Sequence, residues 1–247
     1  MVNALKRTPF RTLAHVEFRK LVGTRSDRIL LIIAPIVLIG ITFVMLRATG
    51  ADPTASGQIG TTTMTLRVAA VIVHVILIKL IAGEWQYRSA QPTLLAQPSR
   101  LRYLLAQATV ALLAWLFCAA VQIGLTFLVV PGAVAGHDAT YLLGYRPGWV
   151  IGTCFLGAFL MVFAAFTVAL LLPNAAGALA VYLVLALGFV IAGQLTSFAG
   201  WIDPSEPMLT LAGTATATGV APVIVSLALW IGLLATGVIR NWRRDAA

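Results

Sequence analysis

The chain of 247 residues is 60% hydrophobic and only 10% charged, with a mean hydropathy of +0.95. That is more apolar surface than a soluble core of this size can enclose, so a soluble enzyme or binding module is excluded and an all-α integral membrane protein is predicted. The net charge of +9 and pI near 10.4 would suit nucleic acid, but the basic residues fall where membrane topology puts them, and nucleic acid is set aside as a partner.

In chain order, residues 9–22 predict an amphipathic helix. Pro9 suits a first helical position; Phe10, Leu13, Ala14, Phe18 and Leu21 share one face, and Arg11, His15 and Arg19 the other. Such a helix lies along the inner membrane surface. Glu17 intrudes on the edge of the apolar stripe. It reads either as a snorkelling or Lys20-paired carboxylate, or as a salt bridge to Arg88 or Arg100 that clamps this helix to the connector described below.

Six apolar runs follow, each near the roughly 20 residues that cross a hydrocarbon core about 30 Å thick. They are Ile29–Leu46, Thr63–Ile81, Tyr103–Val130, Trp149–Leu172, Ala178–Phe198 and Val220–Ile239. Lys and Arg near span ends mark the cytoplasmic side. Residues 1–28 carry Lys6, Arg7, Arg11, Arg19, Lys20, Arg25 and Arg28; the 83–102 connector carries Arg88, Arg100 and Arg102; the tail carries Arg240, Arg243 and Arg244. The opposite side has Arg47, Arg67 and Arg146, so both termini are predicted to be cytoplasmic. The basic segment before Ile29 is too long for a cleaved signal peptide, and Arg47 closes the first run.

Pro35 predicts a kink in the first span. Between the fourth and fifth, only Pro173–Gly177 intervenes, which predicts a tight cytoplasmic hairpin. The external stretch 194–219 holds Asp203, Pro204, Glu206 and Pro207 without a basic residue, and predicts short re-entrant helices. No soluble domain or internal repeat interrupts the single 1–247 unit.

Ionisable groups within a bilayer invite a functional reading. The second span contains Arg67, His74 and, near its inner end, Lys79. Arg67 and His74 are seven apart and share a helical face, either as a polar stripe on a substrate path or as packing contacts, with snorkelling cations and a satisfied core histidine as the plainer alternative. Cys118 and Cys154 lie inside spans and define neither a disulfide framework nor a metal site. Hydrolase motifs are missing from the sequence, as is the Gly-x4-Gly-Lys-Ser/Thr phosphate loop, so no catalytic residue is predicted and any nucleotide energy must come from another polypeptide.

The 83–102 connector is charged and twice broken by proline. Pro92 suits the first turn of a short helix, Thr93-Leu94-Leu95-Ala96; Pro98 stops it, and Ser99 is placed to cap the third span. Two leucines flanked by Glu84, Arg88 and Arg100 form a knuckle outside the membrane, suited to docking a partner.

This arrangement resembles the membrane subunits of the type-2 ABC exporter family. There the second span is followed by Glu, a polar segment, Thr-Leu-Leu, Pro-Ser-Arg and an aliphatic start to the third. The matching residues are Glu84, Arg88, Thr93, Leu94, Leu95, Pro98, Ser99, Arg100 and Leu104, and Glu17-Phe18-Arg19-Lys20-Leu21 resembles the family's interfacial helix. Gln107 stands where many relatives have Lys, and Ser89-Ala90 replaces a common Gly-Thr. The resemblance implies a permease without its own ATPase in a bacterial plasma membrane, pairing with a second permease subunit, identical or homologous. Two copies of a separate ATP-binding subunit, which hold the ATP and Mg, would dock at residues 84–100. The implied cargo is an amphipathic or hydrophobic drug, antibiotic peptide or lipid. Two other readings stay open: a proton-coupled secondary transporter using His74 and Arg67, and a non-transporting immunity or scaffold protein.

Overall fold

The computed structural model describes residues 8–49, 55–69, 71–87, 99–133 and 146–243. These form α1 (Phe10–Leu21), α2 (Arg25–Thr49), α3 (Ala55–Ala69), α4 (Val71–Gln86), α5 (Arg100–Ala133), α6 (Pro147–Leu171), α7 (Ala175–Leu195), a 3-10 turn (Ser197–Trp201), α8 (Glu206–Ala212) and α9 (Ala221–Arg243). Among the described residues there is no strand. Five helices, α2, α5, α6, α7 and α9, are long and apolar enough to cross a membrane, the architecture of a multi-pass membrane protein. The remaining predicted span, Thr63–Ile81, falls on α3 and α4, with residue 70 between them outside the described residues.

The core is built around α6, packed by α3, α4, α5, α7, α8 and α9. Lipid tails are as apolar as leucine, so helices in a bilayer associate through close packing and polar contacts rather than hydrophobic exclusion. The sequence of α6 suits this, with Gly157, Ala158, Ala164, Ala165 and Ala169 all buried. Gly157 receives the Met208 side chain from α8 in space that a Cβ would occupy, and Gly237 of α9 lies against Leu170. The outward faces are apolar and exposed, including Ile32 and Ile36 on α2, Val184 and Ile191 on α7, and Ile224 and Ile231 on α9. Helical threonines inside the bundle return their hydroxyls to the preceding turn, as Thr42 does to Leu38 and Thr167 to Phe163, both at 2.8 Å.

The start of α2 is fixed by Thr24, whose hydroxyl accepts from the Asp27 N–H at 3.1 Å and donates to Asp27 Oδ2 at 2.5 Å. This is a variant of the reciprocal capping arrangement. The helix continues through Pro35. The predicted hairpin is present: α6 ends at Leu171, α7 begins at Ala175, and Asn174 Oδ1 caps α7 by accepting from Ala176 and Gly177 N–H at 3.0 and 3.2 Å. The short helices anticipated in 194–219 are the 3-10 turn and α8. Gly213, at φ 73°, closes α8 in a Schellman turn, with Thr214 N–H on Leu209 O at 2.9 Å.

The face of α1 turned to the bundle is centred on Leu13 and Glu17, both buried, while Phe10 and Phe18 are exposed. Glu17 lies at the centre of the packed face. The reason is polar: α4 and α5, the helices against which α1 packs, offer a set of charged and hydrogen-bonding side chains there, described next.

Candidate functional site: the clamped base of the connector

The connector leaves α4 and enters α5 on the face that also holds α1, the start of α2, the α6–α7 hairpin and the end of α9. Hydrogen bonds tie these ends together: Ala175 N–H donates to Gln86 Oε1 at 2.8 Å, and Arg100 donates to Trp242 O at 2.7 Å and Asn241 O at 3.4 Å. A guanidinium on the terminal carbonyls of α9 also complements that helix's dipole. Most described basic residues, including Arg11, Arg19, Arg25, Arg28, Arg102, Arg240 and Arg243, lie on these elements.

Glu84, at the start of the connector, is 5% exposed. It accepts from the Tyr103 hydroxyl and from Lys20 Nζ, and from Gln107 Nε2 at 2.9 Å. Lys20 also donates to Glu17 Oε1 at 2.6 Å and lies over the Tyr103 ring, 5.9 Å from its centroid. Two carboxylates thus share one ammonium at the junction of α1, α4 and α5. Burial, reinforced by the Glu17 carboxylate, pushes Glu84 up to about 7. Burial also raises Glu17, against the pull of Lys20. Lys20 itself is raised: burial, the largest influence, lowers it, and Glu84 and Glu17 together outweigh that.

Among the described residues Glu17 pairs with Lys20, which also bridges α1 to Glu84. Arg100 is turned instead to the end of α9, and Arg19 is exposed. Arg88, Pro92, Thr93, Leu94, Leu95 and Pro98 lie outside the described residues. Tyr103 escaped the sequence reading, and Gln107 appeared there only as a departure from the family pattern; their spacing of four on α5 was the available signal.

Arg67 on α3 and His74 on α4 each have a partner of their own. Arg67 forms a buried ion pair with Asp203 of the 194–219 segment, Nη2 to Oδ2 at 2.7 Å, and does not snorkel. Asp203 Oδ1 further accepts from the Ser205 N–H and hydroxyl at 2.8 and 2.7 Å, and its backbone carbonyl accepts from Ser226 at 2.5 Å. His74 is fully buried, with Nδ1 hydrogen-bonded to the Tyr182 hydroxyl of α7 and the rings edge to face at 5.4 Å. Glu206, also fully buried, accepts from Thr216 Oγ1 at 2.7 Å and Ala217 N–H at 3.0 Å. Asp203 and Tyr182 lie 136 and 108 residues from their partners, beyond the reach of any spacing argument.

Lys79 pairs with Asp27 at 2.7 Å, joining α4 to the first turn of α2. Beside this pair lies a cavity of about 300 Å³, bounded by the α1–α2 turn and α4 and reaching Glu84. Among the described residues no group of His, Cys, Asp and Glu could hold a metal ion. No protein-family model matches the chain, and no curated protein matches it.

Proposed function

We propose that this chain is the membrane subunit of an ATP-driven exporter of the type-2 ABC kind. The observation that carries the reading is the connector base: a proline-punctuated segment resembling that family's coupling element, with Glu84 at its start and Arg100 near its end both fastened into the bundle. A segment anchored at both ends can pass a push from a docked partner into α1, α4, α5 and α9 together, whereas a loose loop would absorb it. In this reading the basic face is cytoplasmic by the distribution of Lys and Arg, both termini lie there, and α3 with α4 supplies the second of six spans. Two such chains, or this one and a homologous partner, enclose the pathway. Closure of two ATP-binding subunits on residues 84–100 shifts the pair between inward- and outward-favouring states. The cargo is an amphipathic or hydrophobic compound taken from the cytoplasmic side.

The test is docking. The variant with Leu94→Asp and Leu95→Asp is expected to insert normally and to lose co-purification with an ATP-binding subunit. Retention of that subunit at full stoichiometry, with undiminished ATP hydrolysis, refutes residues 84–100 as the coupling element.

A further inference from the structure

The cavity beside α4 has an unusual wall. Between Ile76 and Glu84 the described side chains of α4 are buried except Lys79, which is 50% exposed and borders the cavity. Two ammonium groups, Lys20 and Lys79, and two carboxylates, Asp27 and Glu84, line it together with apolar Leu21, Ile76 and Leu80. The volume of about 300 Å³ is at the small end of the range for small-molecule sites, roughly 300–1,000 Å³. Its depth is informative: Lys79 falls at the inner end of the predicted second span, the level where headgroups meet acyl chains.

Charge balance narrows the ligand. A lone anion would meet the Asp27 carboxylate and the partly ionised Glu84, and a lone cation would meet both lysines, so each gains from one pair of walls and is repelled by the other. A zwitterion engages both. An ammonium carries three donors and a carboxylate about four lone-pair positions, so the Lys79–Asp27 bond leaves each partner capacity for a ligand. The apolar wall then suits the glycerol and first methylenes of a lipid rather than a fully hydrated metabolite.

We propose that this cavity binds the phosphoethanolamine headgroup of a zwitterionic phospholipid, with the phosphodiester on Lys79 and the primary ammonium held by Asp27 and the field of Glu84. A primary ammonium donates hydrogen bonds to these carboxylates; a trimethylammonium cannot, and a site built on such bonds rejects the analogue lacking them. Phosphatidylglycerol brings no ammonium at all. The site needs only the bilayer around the chain, not an ATP-binding partner.

The full chain is reconstituted in nanodiscs with equal amounts of phosphatidylethanolamine, phosphatidylglycerol and phosphatidylcholine, and lipid retained after transfer to detergent is counted by native mass spectrometry. Phosphatidylethanolamine is expected to be retained about tenfold over the other two, the equivalent of roughly 1.4 kcal/mol. Lys79→Gln, which removes the phosphate contact, and Asp27→Asn, which weakens the ammonium site, are each expected to erase most of that preference while circular dichroism stays unchanged. Soluble glycerophosphoethanolamine is expected not to displace the lipid; displacement at equal concentration overturns a lipid source. Equal retention of all three lipids by the unaltered chain, or a preference that survives in both variants, overturns the site.

Discussion

The buried ion pair between Arg67 and Asp203 permits a quantitative test of how the 194–219 segment is held. The two side chains are 5% and 1% exposed and 2.7 Å apart, so neither charge can be satisfied by water if its partner is lost. Removing one member of such a pair costs about 3–5 kcal/mol, mostly from the charge left behind. The two single substitutions are not equivalent. Asp203→Asn strands the guanidinium and turns an amide toward it, which places the loss near about 5 kcal/mol. Arg67→Met leaves a carboxylate that still accepts from the Ser205 N–H and hydroxyl. Hydrogen bonds to a charged group contribute roughly 1.5–3 kcal/mol each, so this loss is expected near about 3 kcal/mol. The double variant removes both charges and is expected to lose at least about 2 kcal/mol less than the sum of the singles. Unfolding of the purified protein by sodium dodecyl sulfate in mixed micelles, followed by helicity, measures all three. Additivity within about 0.5 kcal/mol refutes the coupling, and a larger loss for Arg67→Met than for Asp203→Asn refutes the role assigned to Ser205.

Two further perturbations address other parts of the bundle. Glu84 titrates near 7 when folded against a reference of 4.5, so between those values the folded chain holds more protons and stability falls as pH rises through the window, with the burial penalty complete above it. The unfolding midpoint is therefore expected to be higher near pH 5.5 than near pH 8, and Glu84→Gln to flatten the difference; a midpoint that climbs with pH contradicts the assignment. A Cβ on Gly200 would meet Thr216 Oγ1 at 2.7 Å and both Ala217 Cβ and Glu206 Oε1 at 2.8 Å. Gly200→Ala is thus expected to destabilise by about 1–3 kcal/mol through overpacking, and a neutral result in the same micelle assay would show that the Glu206 cradle yields easily.

What the sequence makes legible here is what depends on local pattern. Hydropathy located α2, α5, α6, α7 and α9, because a long apolar run has few alternatives; proline and glycine punctuation located the α6–α7 hairpin and α8. The second span was drawn too short. α3 starts at Ala55, in a stretch of Gly, Gln and Thr that hydropathy passes over, yet Ile59 is 1% exposed and Thr62 meets Thr126 of α5 at 3.5 Å. Helix there is sustained by packing, which a window of hydropathy does not register. Glu17 was recognised as anomalous from its helical position, but its meaning depended on Glu84, Tyr103 and Gln107, brought to it by tertiary folding. The same holds for Arg67 and His74, whose partners lie more than a hundred residues away. Thr24 and Asp27 were within reach, since a threonine three residues before an acid at a helix start is a capping spacing, and that pair also places the partner of Lys79.

The enclosure of α6 bears on how this protein tolerates change. Its residues and those of α7 are nearly equal in hydrophobicity, but α7 turns Val184 and Ile191 outward, whereas α6 is flanked by neighbours along most of its circumference. A saturation scan should therefore separate two helices that composition cannot. In α7, swaps among aliphatic residues at outward positions would pass unnoticed, with intolerance recurring at helical period. In α6, even alanine-to-valine changes would be selected against over most of the helix, making it the stretch where random drift is slowest although it carries no charged side chain.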